Sequence, residues 1–196
     1  MFYADPRYGN IIHKYHYEHD LSNIVDRASR LFATSNNLNA ALEREGGISS
    51  SSEEDSPHQW EETSDLRCWL IDTIKNNVCD DWDFYPSVKK NLIFDNSWVN
   101  KHPPGAWTDE HTHGGMPVVV SFYLEQPVDS GYFQFFDPLY SVRQSPEFGR
   151  MSPWVTVPTV TGDALIFPGW LYHKTQPNNS TQRRFNMTFN IAHNRK

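Results

Sequence analysis

The second half of the chain, from Pro86 onward, consists of short runs of β-branched and aromatic residues that Pro, Gly and Asn separate. In the last run every second residue from Phe185 to Ile191 is apolar and the residues between them are polar, which predicts a strand with one apolar and one polar face. The runs predict strands near 91–101, 116–125, 131–137, 153–159, 163–167 and 183–192. Such strands indicate a mainly β fold with flanking helices, a cupin-like double-stranded β-helix or jelly roll.

The sequence pattern in the first half of the chain predicts helices that pack against that β core. Apolar residues three and four apart between Leu21 and Ala33 predict one helix, and a similar pattern over 64–78 predicts a second, with Ser64 as its cap. Residues 1–20 indicate an irregular or extended lead-in, and the Ser-, Glu- and Asp-rich run 46–57 indicates a mobile surface loop. We therefore expect a single domain over 1–196, with an N-terminal helical support region at 1–90 and a jelly-roll core at 91–196 that carries the site.

Composition excludes several classes of partner. A net charge of -7 and a pI near 5.7 argue against nucleic acid, whose binding requires clustered Lys and Arg. Cys68 and Cys79 have no Cys-x-x-Cys spacing, which favours free thiols in a reducing compartment. There is no apolar stretch of about 18 residues and no signal-peptide pattern at the N-terminus. These features predict a cytoplasmic protein without membrane contact.

Three histidines form the chemical signal of the sequence. His111 and His113 are two residues apart, so on an extended segment both imidazoles project to one face, and His173 follows 60 residues after His113. Three protein ligands on one side of an octahedral ion leave positions open for a bidentate cosubstrate and O2, as in non-haem iron(II) oxygenases. Imidazole also suits zinc, so the ligand set alone leaves both metals possible.

From about Asn96 to Ile191 the sequence resembles the 2-oxoglutarate- and iron(II)-dependent oxygenases, and within them a small bacterial and phage group of 2OG-Fe(II) oxygenases. Each matching fragment is short, and their shared order makes the resemblance specific. In order, the matching fragments are Ser97-Trp98-Val99-Asn100, Pro104-Gly105, His111-Thr112-His113, Phe122-Tyr123-Leu124, the run from Gly162 to Pro168, His173, and Arg184 through Ile191.

The resemblance implies an Fe(II) site with 2-oxoglutarate as cosubstrate and O2 as oxidant, and hydroxylation of an unactivated C–H bond as the default outcome. It implies that His173 is the distal metal ligand and that Arg184, 11 residues later, binds the far carboxylate of 2-oxoglutarate. The planar guanidinium fork suits a carboxylate. Arg183 is the rival, but Arg184 shares parity with the polar face of its strand. Tyr123 and Ser121 share a strand face, and either hydroxyl is a candidate to bind the cosubstrate or to serve ordinary packing.

One position departs from the family pattern. The middle ligand is ordinarily Asp or Glu, whereas His113 stands there, which leaves the site with one less negative charge. We expect His113 to be the ligand. Asp109 shares parity with His111 and is the alternative, either as a ligand or as an acceptor for an imidazole N–H. A second group, His13, His16 and His19, is better explained as a surface cluster than as a zinc site.

Two other functions stay open at this stage. One is a cupin-like three-histidine iron dioxygenase in which the substrate chelates the metal without 2-oxoglutarate, and the other is a non-catalytic jelly-roll binding protein. The sequence has no pattern that is specific to one class of substrate. Both a small molecule and a protein side chain are compatible with the mixed charges of the N-terminal half and of the loop from Asp137 to Pro153.

Overall fold

The computed structural model describes residues 2–5, 9–140 and 152–194. The strands are β1 (Phe2–Asp5), β2 (Gly9–His16), β3 (Leu38–Asn39), β4 (Glu43–Arg44), β5 (Ile48–Ser50), β6 (Leu92–His102), β7 (Trp107–Thr108), β8 (Val118–Glu125), β9 (Phe133–Phe136), β10 (Trp154–Val157), β11 (Asp163–Phe167), β12 (His173–Thr175) and β13 (Arg184–His193). The helices are α1 (Ser22–Thr34), α2 (Ser64–Thr73), α3 (Cys79–Asp81) and α4 (Pro86–Lys90), with a π-helical turn at Ile74–Val78 and 3-10 turns at Pro57–Gln59 and Glu61–Thr63.

The strands form two facing sheets and a small ladder. The major sheet is antiparallel in the order β1-β2-β11-β8-β13-β6-β5-β3, the minor sheet has the order β10-β9-β12, and β4 pairs with β7. Each predicted strand of the second half is present within two residues of its expected bounds. The predicted fold class, a mainly β double-stranded β-helix with flanking helices, is confirmed.

Alternating side chains of the major sheet build two cores. Phe122, Met187 and Phe189 face α1 and α2, where Leu66 and Leu70 complete a fully buried cluster. Side chains on the opposite face of the sheet, such as Leu165 and Phe167, pack against the minor sheet. Burying one large apolar side chain contributes about 1.5–3 kcal/mol to stability. The core between the two sheets therefore fixes their spacing, and the sheets stay apart at the end that this core does not fill.

The structure differs from the sequence expectations in the N-terminal region. Part of the lead-in, β2, pairs with β11, and the expected loop 46–57 contains β5, which pairs with β6. The major sheet of the jelly roll therefore extends beyond 91–196. These strands have little periodicity of their own, because their pairing partners lie far along the chain and supply the order.

The two predicted helices are present, with one difference at the start of the second. The α2 helix begins at Ser64 itself, and no side chain caps it. The hydroxyl of the preceding residue, Thr63, donates instead to the carbonyls of Pro57 and Trp60. Within the described ranges, no helix is long and apolar enough to cross a membrane.

Candidate metal centre

The three histidines meet because two loops pair at the open end of the sheets. His111 and His173 form a reciprocal backbone bridge, with N–H to O distances of 2.9 and 3.0 Å. The next alternate residue, His113, donates its backbone N–H to the carbonyl of Gly169 at 2.8 Å, and the N–H of Gly169 donates to Met116 at 3.0 Å. The loop that precedes β8 is thus joined to the turn that precedes β12.

The imidazoles converge. One ligand nitrogen from each of His111, His113 and His173 lies within 4.8 Å of the other two, and among the described residues this is the one such group of three. The Nδ1 atoms of His111 and His173 lie 2.8 Å from the carbonyl oxygens of Asp109 and Leu171. Since a carbonyl only accepts, each Nδ1 carries the proton and each Nε2 keeps its lone pair for a metal.

The electrostatics of the site favour the metal-binding form of each ring. Burial lowers the pKa of all three imidazoles, to about 4 for His113 and well below the usual value for His173, and the neighbouring rings lower these two pKa values further. Neutral imidazole is the form that binds a metal. At neutral pH all three rings are therefore ready to act as ligands.

The histidines lie in a cavity of about 540 Å³, here called the chamber. Its walls include polar side chains of the major sheet, namely Asn100 of β6, Ser121 of β8 and Thr188 of β13, together with the segments 37–43 and 49–53 from the N-terminal region. The polar face predicted for the last strand thus faces the chamber. Among the described residues, no Lys or Arg side chain lines it.

Arg184 lies behind the chamber wall, 1% exposed. Its Nη1 donates to the carbonyls of Ser130 and Gln176, and its Nη2 donates to Thr175 Oγ1 at 2.9 Å. Burial lowers the pKa of Arg184 to about 10, so the guanidinium stays charged at neutral pH. Within the described chain it forms no direct ion pair, which leaves a buried cation whose balancing charge is incomplete.

A buried network adjoins the guanidinium. The Nε of Arg184 donates to Nδ1 of His102 at 3.4 Å, and Nε2 of His102 lies 2.7 Å from the carboxylate of Glu43. Because Nδ1 accepts, the ring proton is on Nε2 and points to Glu43. Burial opposes ionisation of Glu43, but its bonds to His102, Ser49 and Thr108 outweigh that effect and lower its pKa. Sequence reasoning missed this network, since the contact between β4 and β7 has no local signal.

Tyr123 and Ser121, the two candidate hydroxyls, occupy different depths. Ser121 lines the chamber, whereas Tyr123 is 1% exposed and packs among the apolar residues between the sheets. Among the described residues, the Tyr123 hydroxyl has no hydrogen-bond partner, and the same is true of the buried Ser130 and Thr159 hydroxyls. Burial raises the pKa of Tyr123, while nearby Arg184 and the side chains of Ser121 and Thr159 lower it. Polar atoms that are buried and unsatisfied mark places where a ligand or water completes the bonding.

The rival residues are engaged elsewhere. Asp109 pairs with Arg44 at 2.7 Å, and Arg183 pairs with Glu125 at 2.8 Å on the surface. His13, His16 and His19 do not form a cluster: the first is buried 3.6 Å from Asp81, the second lies 3.0 Å from Asp163, and the third contacts the ring of Tyr17. The expectation of a histidine cluster at the surface is therefore wrong, because strand alternation in β2 separates the rings.

Comparison with known proteins agrees with the fold. Residues 96–190 match the family described as "Putative 2OG-Fe(II) oxygenase", and no curated protein sequence matches the chain. A prolyl-4-hydroxylase of Pseudomonas putida superposes with a TM-score of 0.62 at 17% identity, covering 94% of this chain and 93% of that one. HygX of Streptomyces hygroscopicus, solved with nickel and 2-oxoglutarate, gives 0.62 at 13% identity, with 94% and 84% covered. The epimerase SnoN from nogalamycin biosynthesis gives 0.60 at 15%, with 94% and 78% covered.

The double-stranded β-helix and the convergent histidines define the class as a non-haem iron oxygenase of jelly-roll fold. The family match spans the stretch that contains all three histidines and Arg184. The match of residues 96–190 to the 2OG-Fe(II) oxygenase family agrees with the resemblance found in the sequence.

Proposed function

We propose that His111, His113 and His173 hold Fe(II), and that Arg184, with Tyr123 and Ser121, holds 2-oxoglutarate for the hydroxylation of an unactivated C–H bond in a small polar substrate. The observation that carries the proposal is the convergence of three imidazole nitrogens within 4.8 Å in the wall of the chamber. When bound, Fe(II) and 2-oxoglutarate supply the electrons that activate O2 for attack on such a bond.

The residues present fit the metal. Three neutral imidazoles on one side of the site leave the other side open to the chamber, as an oxygenase requires. Because none of the three ligands is a carboxylate, the ion keeps its full double positive charge. That charge favours a dianionic cosubstrate in the chamber, and Arg184 adds a further positive charge behind the wall.

The residues present also fit the cosubstrate, through Thr175 as well as Arg184. Thr175 lines the chamber, and its Oγ1 accepts from the backbone N–H of Thr108 and from Arg184. With both lone pairs occupied, its own O–H is left to donate to a carboxylate. One N–H of Arg184 Nη2 and the O–H of Tyr123 also have no acceptor in the described chain. These donors supply the bonds that a carboxylate of 2-oxoglutarate needs.

The chamber supports a neutral or cationic polar small molecule as substrate. Its outer wall carries Asn and Ser side chains together with Glu53, and no basic side chain of the described residues faces it. Two of the similar structures contain small molecules, namely HygX with hygromycin B and SnoN with nogalamycin RO. A protein side chain is the alternative substrate, in line with the name of the similar prolyl-4-hydroxylase.

One observation favours a second candidate function. Four of the five N–H groups of Arg184 are already bonded to protein atoms, so the side chain does not reach freely into the chamber. This would suit a three-histidine dioxygenase in which the substrate itself chelates the metal. The two functions differ in whether 2-oxoglutarate is consumed.

The test is anaerobic titration of the Fe(II)-loaded protein with 2-oxoglutarate, followed by assay of succinate in air. The proposal predicts a weak visible charge-transfer band and slow succinate release without added substrate, both lost in His173→Ala. The matched control is His19→Ala, whose ring lies outside the chamber. Fe(II) binding without a band or succinate would favour the second candidate, and no Fe(II) binding at all would refute both.

A further inference from the structure

The three histidines are not oriented by the same means. His111 and His173 each donate Nδ1–H to the carbonyl two residues earlier, at 2.8 Å. The equivalent carbonyl for His113 is that of His111, which accepts the backbone N–H of His173, and the ring of His113 makes no hydrogen bond to it. Some other group has to orient the ring of His113.

Stacking alone cannot orient this ring. The imidazole of His113 lies against the indole of Trp98, with ring centroids 5.7 Å apart and planes 15° from parallel. Stacking fixes the plane of the ring. A half-turn about the Cβ–Cγ bond keeps that plane but exchanges ring nitrogen and carbon positions. A directional hydrogen bond is needed to decide which atom faces the ion.

Asn190 is placed to make that bond. It lies on the polar face of β13, paired with Asn96 of β6, and it is 7% exposed. Its Nδ2 donates to Asn96 Oδ1 at 2.8 Å, while its Oδ1 is buried and has no hydrogen-bond partner among the described residues. Asn190 and Thr188 lie on the same face of β13, and Thr188 pairs across the sheet with Trp98, on which the ring of His113 stacks. The unsatisfied oxygen therefore lies close to that ring. Burial lowers the pKa of His113, and the Asn190 side chain opposes this lowering.

The direction of the Asn190 amide is set from the surface. The carboxylate of Asp95 can only accept, and it accepts from Asn96 Nδ2 at 3.0 Å. Asn96 therefore presents its Oδ1 to Asn190. Because Oδ1 can only accept, Asn190 donates to it through Nδ2. The oxygen of Asn190 is therefore left free to accept from another donor. The Asp95 carboxylate, which can only accept, thus fixes the direction of both hydrogen bonds in the series Asp95, Asn96 and Asn190.

We infer that Asn190 is the positioning residue of His113: it accepts one ring N–H, selects the tautomer, and leaves the other ring nitrogen for the metal. The inference rests on the proposed function, in which His113 is a metal ligand. A carboxylate ligand in this position would not need such a positioning residue. The two oxygens of a carboxylate are equivalent under a half-turn, whereas the two edges of an imidazole are not.

The test compares Asn190→Leu, which removes the acceptor at similar size, with Asn190→Asp, which keeps it. Co(II) is the probe, followed by calorimetric titration and by its visible spectrum. Asn190→Leu should weaken Co(II) binding by about 10-fold to 100-fold, the usual effect of losing a partner of a ligating imidazole, and change the spectrum. Asn190→Asp keeps an acceptor toward His113 but loses the donor to Asn96, so it should bind Co(II) more tightly than Asn190→Leu, and the exposed control Asn179→Leu should be unchanged.

A second readout needs no metal. Nitrogen-15 NMR of the metal-free protein, with His113 assigned by loss of its signals in His113→Gln, should show one tautomer in wild type and a mixture in Asn190→Leu. If Asn190→Leu does not fold, Asn96→Leu carries the same test, because it releases the Asn190 amide.

The outcomes separate this inference from the proposed function. If wild type binds Co(II), His173→Ala does not, and Asn190→Leu binds as wild type with one tautomer, the inference fails and the proposed function stands. A single unchanged tautomer in Asn190→Leu overturns the inference even if binding weakens. If wild type binds no Co(II), both fail.

Discussion

Arg184 carries a full charge in a place that water does not reach. Its guanidinium is bonded to two backbone carbonyls and to Thr175, and its nearest acidic neighbour, Glu43, is reached only through His102. A buried cation with incomplete compensation is costly unless a ligand completes it. At the scale of the single residue, an anion that binds beside the Arg184 guanidinium should therefore be stabilised by its uncompensated charge.

Arg184→Lys keeps the charge and loses the planar fork. We expect 2-oxoglutarate affinity to fall at least about tenfold, since hydrogen bonds to charged groups contribute about 1.5–3 kcal/mol. The measurement is calorimetric titration of the Co(II)-loaded protein. Arg183→Lys is the matched control, because its side chain pairs with Glu125 at the surface and should leave the affinity unchanged. Equal affinities in both variants would contradict the role given to Arg184.

Tyr123→Phe removes a buried hydroxyl that has no hydrogen-bond partner in the described part of the chain. We expect the melting temperature of the metal-free protein to stay constant or rise, because an unsatisfied polar group disappears. The 2-oxoglutarate affinity should nevertheless fall about fivefold, the effect of one neutral hydrogen bond of ~1 kcal/mol. Tyr132→Phe, at a partly exposed ring, is the control. Loss of stability with unchanged affinity would assign Tyr123 to packing alone.

At the scale of elements, the contact of two loops brings His111, His113 and His173 together. Gly169 receives the N–H of His113 and donates to Met116, so the backbone segments touch with no room for a side chain. A Cβ added at Gly169 would collide with the Met116 carbonyl oxygen, whereas one added at Gly115, in the same loop, would meet nothing.

Gly169→Ala should therefore push the His113 loop away from the turn before His173. We expect the free energy of unfolding to fall by about 1–3 kcal/mol, as in other overpacked sites, and Co(II) affinity to fall with it. Gly115→Ala should leave Co(II) affinity unchanged. Denaturant unfolding and metal titration measure the two effects. Wild-type Co(II) binding in Gly169→Ala would show that the loop contact does not set the ligand geometry.

The pH dependence of stability measures the burial of His113, which lies in one of these loops. Burial lowers the pKa of His113 from 6.5 to about 4. Below pH 6.5 the unfolded chain therefore takes up a proton that the folded, metal-free chain refuses, so stability is lost as the pH falls toward about 4. His113→Gln should lose less stability over this window. Thermal melts of both proteins without metal provide the measurement, and parallel curves would contradict the burial of a neutral ring at this position.

For the whole molecule, the sequence predicts the parts whose signal is local. Apolar alternation from Phe185 to Ile191 is visible without a partner strand, and so is the spacing of His111 and His113. The jelly roll and the candidate ligands follow from those patterns. The ordered matches along the second half of the chain supplied the family.

The parts that escaped prediction depend on contacts between distant segments. Glu43 reaches His102 because β4 pairs with β7, and Asn190 comes near His113 because β13 pairs with β6, whose Trp98 stacks on that ring. Similarly, β2 and β5 are strands because β11 and β6 offer free edges. Local propensity does not encode such pairings.

The central claim is that three imidazoles hold the metal while Arg184 and its neighbours hold the cosubstrate. The most direct measurement is an anaerobic crystal structure of the protein with Fe(II) and 2-oxoglutarate. The account predicts the ion bonded to His111, His113 and His173, with the far carboxylate of 2-oxoglutarate against Arg184 and Thr175. An ion bonded to Asp109 in place of His113, or a cosubstrate carboxylate held away from Arg184, would contradict it.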